Sequence, residues 1–397
     1  MPTAAQLRQS FIRTFGDQNR KIALTRSPGR VNLIGEHTDY NDGWVLPAAV
    51  SRYVWAAAQR RKDTKVVVHS ATVDERIEFD LKTMRNDPEH GWANYPKGVL
   101  NALVNRGWKL DGLNLYLESD VPMGGGMSSS AALECAVAWA VIALFPYNLD
   151  KLSVVRLCQR AENAFVGVNC GIMDQYASVF GRKGHALFLD CRTLQCQPVP
   201  LPTDSHPLLI IDSVVRRKLA GGEYNKRREQ CNEAVRLLKP AFPKVRALRD
   251  IEEADLAKAL PLLPPIVAKR AEHVVRECAR VKAAVAALQR GDLKAVGALL
   301  NASHESLAKL YEVSCTELDI LAGSAQRVPG VLGARMMGGG FGGCVIALVE
   351  RGAVESVKRE VARVYQHRFG TLPPFHEVEA ADGTSELSAP DVAVRGS

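Results

Sequence analysis

The chain has 397 residues, 47% hydrophobic and 24% charged, the composition of a globular protein with core enough for about two domains. Its net charge of +8 is spread along helical stretches instead of being gathered in one block. A small anionic substrate or solvated helix faces account for it, and no nucleic-acid partner is expected. Nine cysteines, an odd number without a C-x-x-C pair, read as reduced thiols of a cytoplasmic protein. No signal-peptide pattern opens the chain and no apolar run reaches the roughly 18 residues of a membrane span, so no membrane partner is expected.

In chain order, Gln6 to Phe15 predicts a short amphipathic helix, and Lys21 to Thr25 a strand that Ser27-Pro28-Gly29 punctuates. A second apolar strand then ends at Gly35 and delivers Glu36, His37, Thr38 and Asp39 into a loop. Such a set of donors and acceptors suits the hydroxyls of a polyol, since a buried polar group without a partner costs about 1–3 kcal/mol. The plainer alternative is a solvated turn capped by Asp39 or Asn41. A zinc site is disfavoured, because H-E-x-x-H spacing is absent.

Strands are predicted at Val45 to Tyr53, Lys65 to Ser70, Arg76 to Phe79 and Leu113 to Glu118, with a helix opening at Trp92-Ala93-Asn94-Tyr95 and closing near Gly107. The last of these strands leads into Gly124-Gly125-Gly126-Met127-Ser128-Ser129-Ser130, followed by an apolar helix from Ala131 that Pro146 stops. Free N–H groups and the positive end of the helix dipole converge there, where a nucleotide phosphate fits. The hydroxyls either cap the helix or reach a phosphate or metal. An ordinary Gly/Ser loop is the alternative.

Lys151 to Val168 predicts a helix whose apolar stripe, Val155, Cys158 and Phe165, also carries Glu162. A carboxylate there is paired, protonated or bound to a metal, and magnesium and a buried arginine are both open. Asp174, after the turn at Gly171, either caps a helix or points into a cleft. Strands at His185 to Cys191 and Leu208 to Asp212 flank the proline-rich Pro198 to Pro202, which is expected to join two domains, residues 1–204 and 205–397. Helices follow at Glu223 to Lys239, Pro265 to Arg290 and Asp292 to Tyr311. Strands Val331 to Met337 and Cys344 to Val349 flank a Gly338 to Gly343 loop, then come a helix at Ala353 to His367, a strand near Phe375 and a polar, frayed tail from Asp382. That loop enters a strand, so it is no Rossmann fingerprint, though it can serve as a lip over phosphates.

Three stretches, Pro28 to Gly43, Val121 to Glu134 and Gly338 to Gly343, resemble the GHMP small-molecule kinases. Gly29 to Tyr40, Trp92 to Tyr95, Cys170 to Gln175 and Glu223 to Arg228 are similar to the galactose-phosphorylating members in particular. The resemblance implies an α+β fold of two domains, an N-terminal mixed sheet with helices and a C-terminal ferredoxin-like unit, with the active site in the cleft between them. It implies transfer of the γ-phosphoryl group of ATP, with Mg2+, to the anomeric hydroxyl of α-D-galactose. By matching positions, Gly124 to Ser130 hold the phosphates, Ser130 and Glu162 the magnesium, and Glu36, His37, Thr38, Asp39, Gly171 and Tyr224 the sugar, while Arg30 and Asp174 stand at the reacting oxygen. Met127 replaces the common leucine, Ala132 a frequent serine, and Ala220 to Gly222 a more serine-rich stretch. The partners expected are galactose and ATP, and the expected state is a monomer. Kinases of N-acetylgalactosamine or galacturonate, and a non-catalytic sugar sensor, are the alternatives; Ser128 to Ser130 and Asp174 are all present, against the sensor.

Overall fold

The computed structural model describes residues 2–215 and 220–388. Helix α1 (Ala4–Phe15) opens the chain, then come β1 (Ile22–Asn32), β2 (Trp44–Val45), β3 (Pro47–Arg60), β4 (Lys65–Ser70) and β5 (Glu75–Asp80). Next are α2 (Asn94–Asn105), β6 (Leu113–Ser119), α3 (Ser129–Leu144), α4 (Lys151–Arg160), α5 (Met173–Phe180), β7 (His185–Asp190) and β8 (Cys196–Pro200). The second half comprises β9 (Leu208–Asp212), α6 (Ala220–Leu238), α7 (Leu256–Ala259), α8 (Pro265–Gln289), α9 (Leu293–Ser306), α10 (Thr316–Gln326), β10 (Val331–Met337), β11 (Cys344–Val349), α11 (Val354–Phe369), β12 (Phe375–Val378) and β13 (Ser385–Glu386).

Six strands in the order β13-β1-β3-β6-β4-β5 form the main N-terminal sheet, mixed because β4 runs parallel to β6. A fully antiparallel sheet, β10-β11-β9-β12, centres the second half. Every residue of β11 is buried, and its period-2 alternation assigns them to two cores. Val345, Ala347 and Val349 join the C-terminal cluster with α10 and α11, whereas Cys344, Ile346 and Leu348 join the core that also contains the N-terminal sheet and α3. The two halves therefore share one continuous apolar core, which fixes the cleft between them.

Several expectations change. Pro28 does not end a strand, because β1 continues to Asn32 across a bulge between Pro28 and Arg30. Pro198 to Pro202 is no simple linker, since β8 pairs with β7 in a small third sheet. The helix from Lys151 widens at Ala161, where six residues form a π-helical turn that Gly167 ends. Helix α10 was not anticipated from the sequence. The tail is only partly free, because Thr384 is buried and β13 pairs with β1. Residues 389–397 of the expected tail lie outside the described residues.

Helix α9 meets β10 backbone to backbone. A Cβ on Gly297 would lie 2.0 Å from the Leu332 carbonyl oxygen, and one on Gly333 would lie 2.2 Å from the Gly297 carbonyl oxygen. Neither neighbour is a side chain that can swing away. Gly297→Ala is therefore expected to lower stability by about 1–3 kcal/mol, as other overpacking substitutions do. A urea titration would show this as a lower midpoint, and an unchanged midpoint would contradict it.

Candidate active site

Strand β1 carries Arg30 to the bottom of the cleft, and the bulge before it turns the side chain toward α5. The Arg30 guanidinium donates to both carboxylate oxygens of Asp174, at 2.7 Å each, and through its remaining nitrogen to the Gly126 carbonyl at 2.5 Å. Its backbone N–H donates to the Met127 carbonyl at 3.0 Å, so the same residue ties the glycine turn to the sheet. Only 4% of Arg30 is exposed. Burial disfavours its charge, but the adjacent Asp174 more than offsets that and the pKa rises.

Two cavities meet at Arg30. One, of about 160 Å³, is lined by Glu36, His37, Asp39, Glu162, Gly171, Asp174 and Tyr224, along with Arg30 itself and others. The other, of about 460 Å³, is lined by Gly124, Gly126, Ser128, Ser129, Ser130 and Tyr95 on one side, by Met337 to Gly343 on the other, and again by Arg30. The Gly338 to Gly343 loop thus lines the same cavity as the glycine-serine turn. Ser128 takes a left-handed conformation (φ 51°) and its hydroxyl donates to Asp174. It does not cap α3, one of the roles the sequence left open for these hydroxyls, and the first-turn N–H groups of the helix have no side-chain cap from it.

Not every expected residue faces a cavity. Thr38 is fully buried and its hydroxyl serves the Gly35 and Trp44 carbonyls, so it shapes the loop. Met127 packs in the core, and Gly125 lies against Pro122, where a Cβ would come within 3.0 Å. Glu36 lines the smaller cavity, but its carboxylate is ion-paired with Arg335 at 2.6 Å and accepts from the Gly338 N–H at 2.7 Å and from Asn32. Burial raises its pKa even so, with Arg335 opposing. Arg335 went unnoticed in the sequence, although a cation inside an apolar strand already demands a buried anion.

The acids crowd together. Glu162, 6% exposed, lies beside the Ser130 hydroxyl and accepts at 2.7 Å from Gln175, whose amide also donates to the wholly buried Glu134 at 3.1 Å. Burial, reinforced by the charge of Asp174, pushes Glu162 up to about 7. Among the described residues no cationic side chain pairs with Glu162, and one oxygen of Glu134 has no partner at all. A hydroxyl and an unpaired carboxylate side by side fit a small hard cation that takes oxygen ligands. Asp39 is likewise pushed up to about 7, first by burial and then by Asp174.

Family models for the galactokinase galactose-binding signature match residues 9–60, for the GHMP kinase N-terminal domain residues 94–182, and for the GHMP kinase C-terminal domain residues 284–367. The galactokinase of Thermotoga neapolitana is 45% identical over 91% of this chain and 99% of its own. The chain belongs to the galactokinase family of GHMP kinases. Another relative, the galactokinase of Chloroflexus aurantiacus, is 47% identical over 91% of this chain and 92% of its own. A crystal structure of Lactococcus lactis galactokinase complexed with galactose superposes with a TM-score of 0.92 at 38% identity, covering 96% of this chain and 99% of that one. The two-domain α+β fold expected from the sequence is therefore this family's fold, with its mixed N-terminal sheet and antiparallel C-terminal one. Among the described residues no helix is long and apolar enough to cross a membrane.

The geometry of the smaller cavity leads to two predictions. A Cβ on Gly171 would sit 1.8 Å from Asp39 Oδ2, so Gly171→Ala displaces that carboxylate. Displacements near 1 Å cost roughly 100-fold in rate, and kcat/KM for the sugar is expected to fall by about that factor; a fall under about two-fold would contradict the contact. Asp39, with a folded pKa near 7 against about 4 for an ordinary aspartate, holds a proton in the folded chain that the unfolded chain releases. Its stabilising share is present below about pH 4 and lost as pH climbs through about 7. Thermal melts should therefore show Asp39→Asn gaining on the parent between pH 5 and pH 8, and a difference independent of pH would refute the shift.

Proposed function

We propose that this protein transfers the γ-phosphoryl group of ATP to the C1 hydroxyl of α-D-galactose, releasing galactose 1-phosphate and ADP. The observation that carries the reading is Arg30, placed at the seam between a cavity lined by hydroxyl-binding side chains and one lined by a glycine-serine helix start. In this reading Glu36, His37, Asp39, Gly171 and Tyr224 hold the sugar, with Thr38 supporting their loop from beneath. Gly124 to Ser130 and the Gly338 to Gly343 lip hold the triphosphate, residues 1–204 forming one domain and 205–397 the other. The enzyme works in the cytoplasm as a monomer.

Phosphoryl transfer requires alignment and neutralised charge above all. Arg30 stabilises charge that builds between donor and acceptor oxygens, and the uncapped N–H groups of α3 do the same for the phosphates. Ser130 and Glu162 would hold magnesium, which supplies positive charge against the phosphate oxygens. Asp174, kept in place by Arg30 and Ser128, orients the C1 hydroxyl and accepts its proton. A sugar hydroxyl is a far weaker acid than a carboxylic acid. A gap of roughly 6 pKa units would cost about 8 kcal/mol if the proton left first, so the proton moves during or after formation of the P–O bond.

An ADP-release assay with galactose, glucose and N-acetylgalactosamine tests the reading, with galactose expected to give the highest kcat/KM. A preference for N-acetylgalactosamine would move the assignment to that sugar. Asp174→Asn is expected to lower kcat by about 100- to 10,000-fold while ATP still binds, and near-parental turnover would remove Asp174 from proton transfer. Glu162→Gln should raise the magnesium needed for half-maximal rate by about ten-fold or more. An unchanged magnesium titration would exclude Glu162 as a ligand.

A further inference from the structure

The loop that presents Glu36 and His37 belongs to the N-terminal half, but its backbone is held by side chains from the other half. Helix α8 offers His273, Glu277 and Val281, each one turn beyond the last, on a single face. Glu277 Oε1 accepts the Gly35 N–H at 2.9 Å and the Ser303 hydroxyl at 2.7 Å. His273 Nε2 lies 3.2 Å from the Glu36 carbonyl oxygen, and Nδ1 lies 2.8 Å from Ser306 Oγ. A carbonyl only accepts, so Nε2 carries the proton and Nδ1 accepts from Ser306. Val281 closes the stripe, its methyl 2.9 Å from where a Gly35 Cβ would be.

The peptide that His273 holds is the one preceding His37, and His37 has a left-handed φ of 63°. Such a conformation is uncommon for a side-chain-bearing residue and persists only where the surroundings enforce it. Gly35 just before it has φ 109°. The rings add a second restraint, since Tyr311 lies 4.5 Å from His273 on one side and 4.6 Å from His37 on the other. His37 Nδ1 is 2.7 Å from the Tyr40 hydroxyl, which in turn is 2.8 Å from that of Tyr311.

We propose that His273 and Glu277 are positioning residues for sugar recognition, holding the Gly35–Glu36–His37 backbone in the strained conformation that aims Glu36 and His37 into the sugar-side cavity. Neither side chain lines that cavity. The groups are suited to a permanent clamp. Burial drops His273 to about 4 despite Glu277 nearby, and Arg280, His273 and Arg335 outweigh burial to bring Glu277 down to about 2. One stays neutral and the other charged across the neutral range.

The inference rests on the assignment of this cavity to the sugar, so its test has one arm that needs no sugar. In the free protein, hydrogen exchange of the segment 33–38 is expected to quicken by about ten-fold or more in His273→Phe, which keeps a ring against Tyr311 but has no donor, while core strands such as β11 keep their protection. His273→Gln, which restores an N–H, should recover most of the protection. In the kinetic arm, His273→Phe should raise the KM for galactose by about ten-fold with a much smaller change in kcat and in the KM for ATP, and His273→Gln should recover it in part. Glu277→Gln, which leaves the Gly35 N–H an acceptor, gives a second folded variant and is expected to shift both readouts in the same direction but less. Unchanged exchange at 33–38 in folded His273→Phe overturns the clamp whatever the substrate is. Quickened exchange with an unchanged galactose KM overturns its role in recognition. A parent that does not bind galactose overturns the substrate reading and leaves the clamp to be judged on exchange alone.

Discussion

A guanidinium almost wholly removed from water survives only if every face of it finds an anion or a carbonyl, and Arg30 satisfies that demand with Asp174 and the Gly126 carbonyl. The geometry this imposes organises the cleft. Asp174 must sit at the start of α5, the glycine turn must bend back over β1, and the bulge at Pro28 must turn the strand enough to bring Arg30 beneath both. Removing Asp174 would leave the buried Arg30 guanidinium without its nearest anion, so the pair is a constraint on the fold as well as on the chemistry.

Around that pair the charges are deliberately out of balance. Burial raises the pKa values of Asp39, Glu162 and Glu134, with Asp174 adding to the first two and Glu162 to the third, and the Glu134 to Gln175 to Glu162 chain binds its members by hydrogen bonds, not by a cation. Glu36, in contrast, is neutralised by the fully buried Arg335. Asp39 and Glu162 line the same cavity as Glu36 without such an ion pair, and a polar or cationic ligand would relieve their repulsion from Asp174.

Elements with a strong local signature were legible in the sequence. β9, β10 and β11 begin and end where their apolar runs do, and α3 stops at Leu144 ahead of Pro146. Features that depend on distant partners were not. Pro28 reads locally as a break, but the strand continues through it, Pro28 pairing with Tyr53 and Arg30 with Ala49 across a register shift. Pro198 and Pro200 read as a linker, although a short edge strand tolerates proline when its partner lies on one side only. Glu162 betrayed itself as a charge on an apolar stripe, and Arg335 carried the same sign in β10, but its partner is 299 positions earlier and nothing local names it. The residues that face the cavities were read mainly from motif likeness. Spacing alone did not separate Thr38, which turns inward to two carbonyls, from Asp39, which lines the cavity.

The central claim is that Arg30 marks the point where the two substrates meet, and a crystal structure with galactose and a non-hydrolysable ATP analogue tests it most directly. The account predicts the C1 oxygen within about 3 Å of an Asp174 carboxylate oxygen, with the terminal phosphate between the Ser128 to Ser130 turn and the Arg30 guanidinium. A sugar bound with C1 turned away from Asp174, or a terminal phosphate out of reach of Arg30, would contradict it.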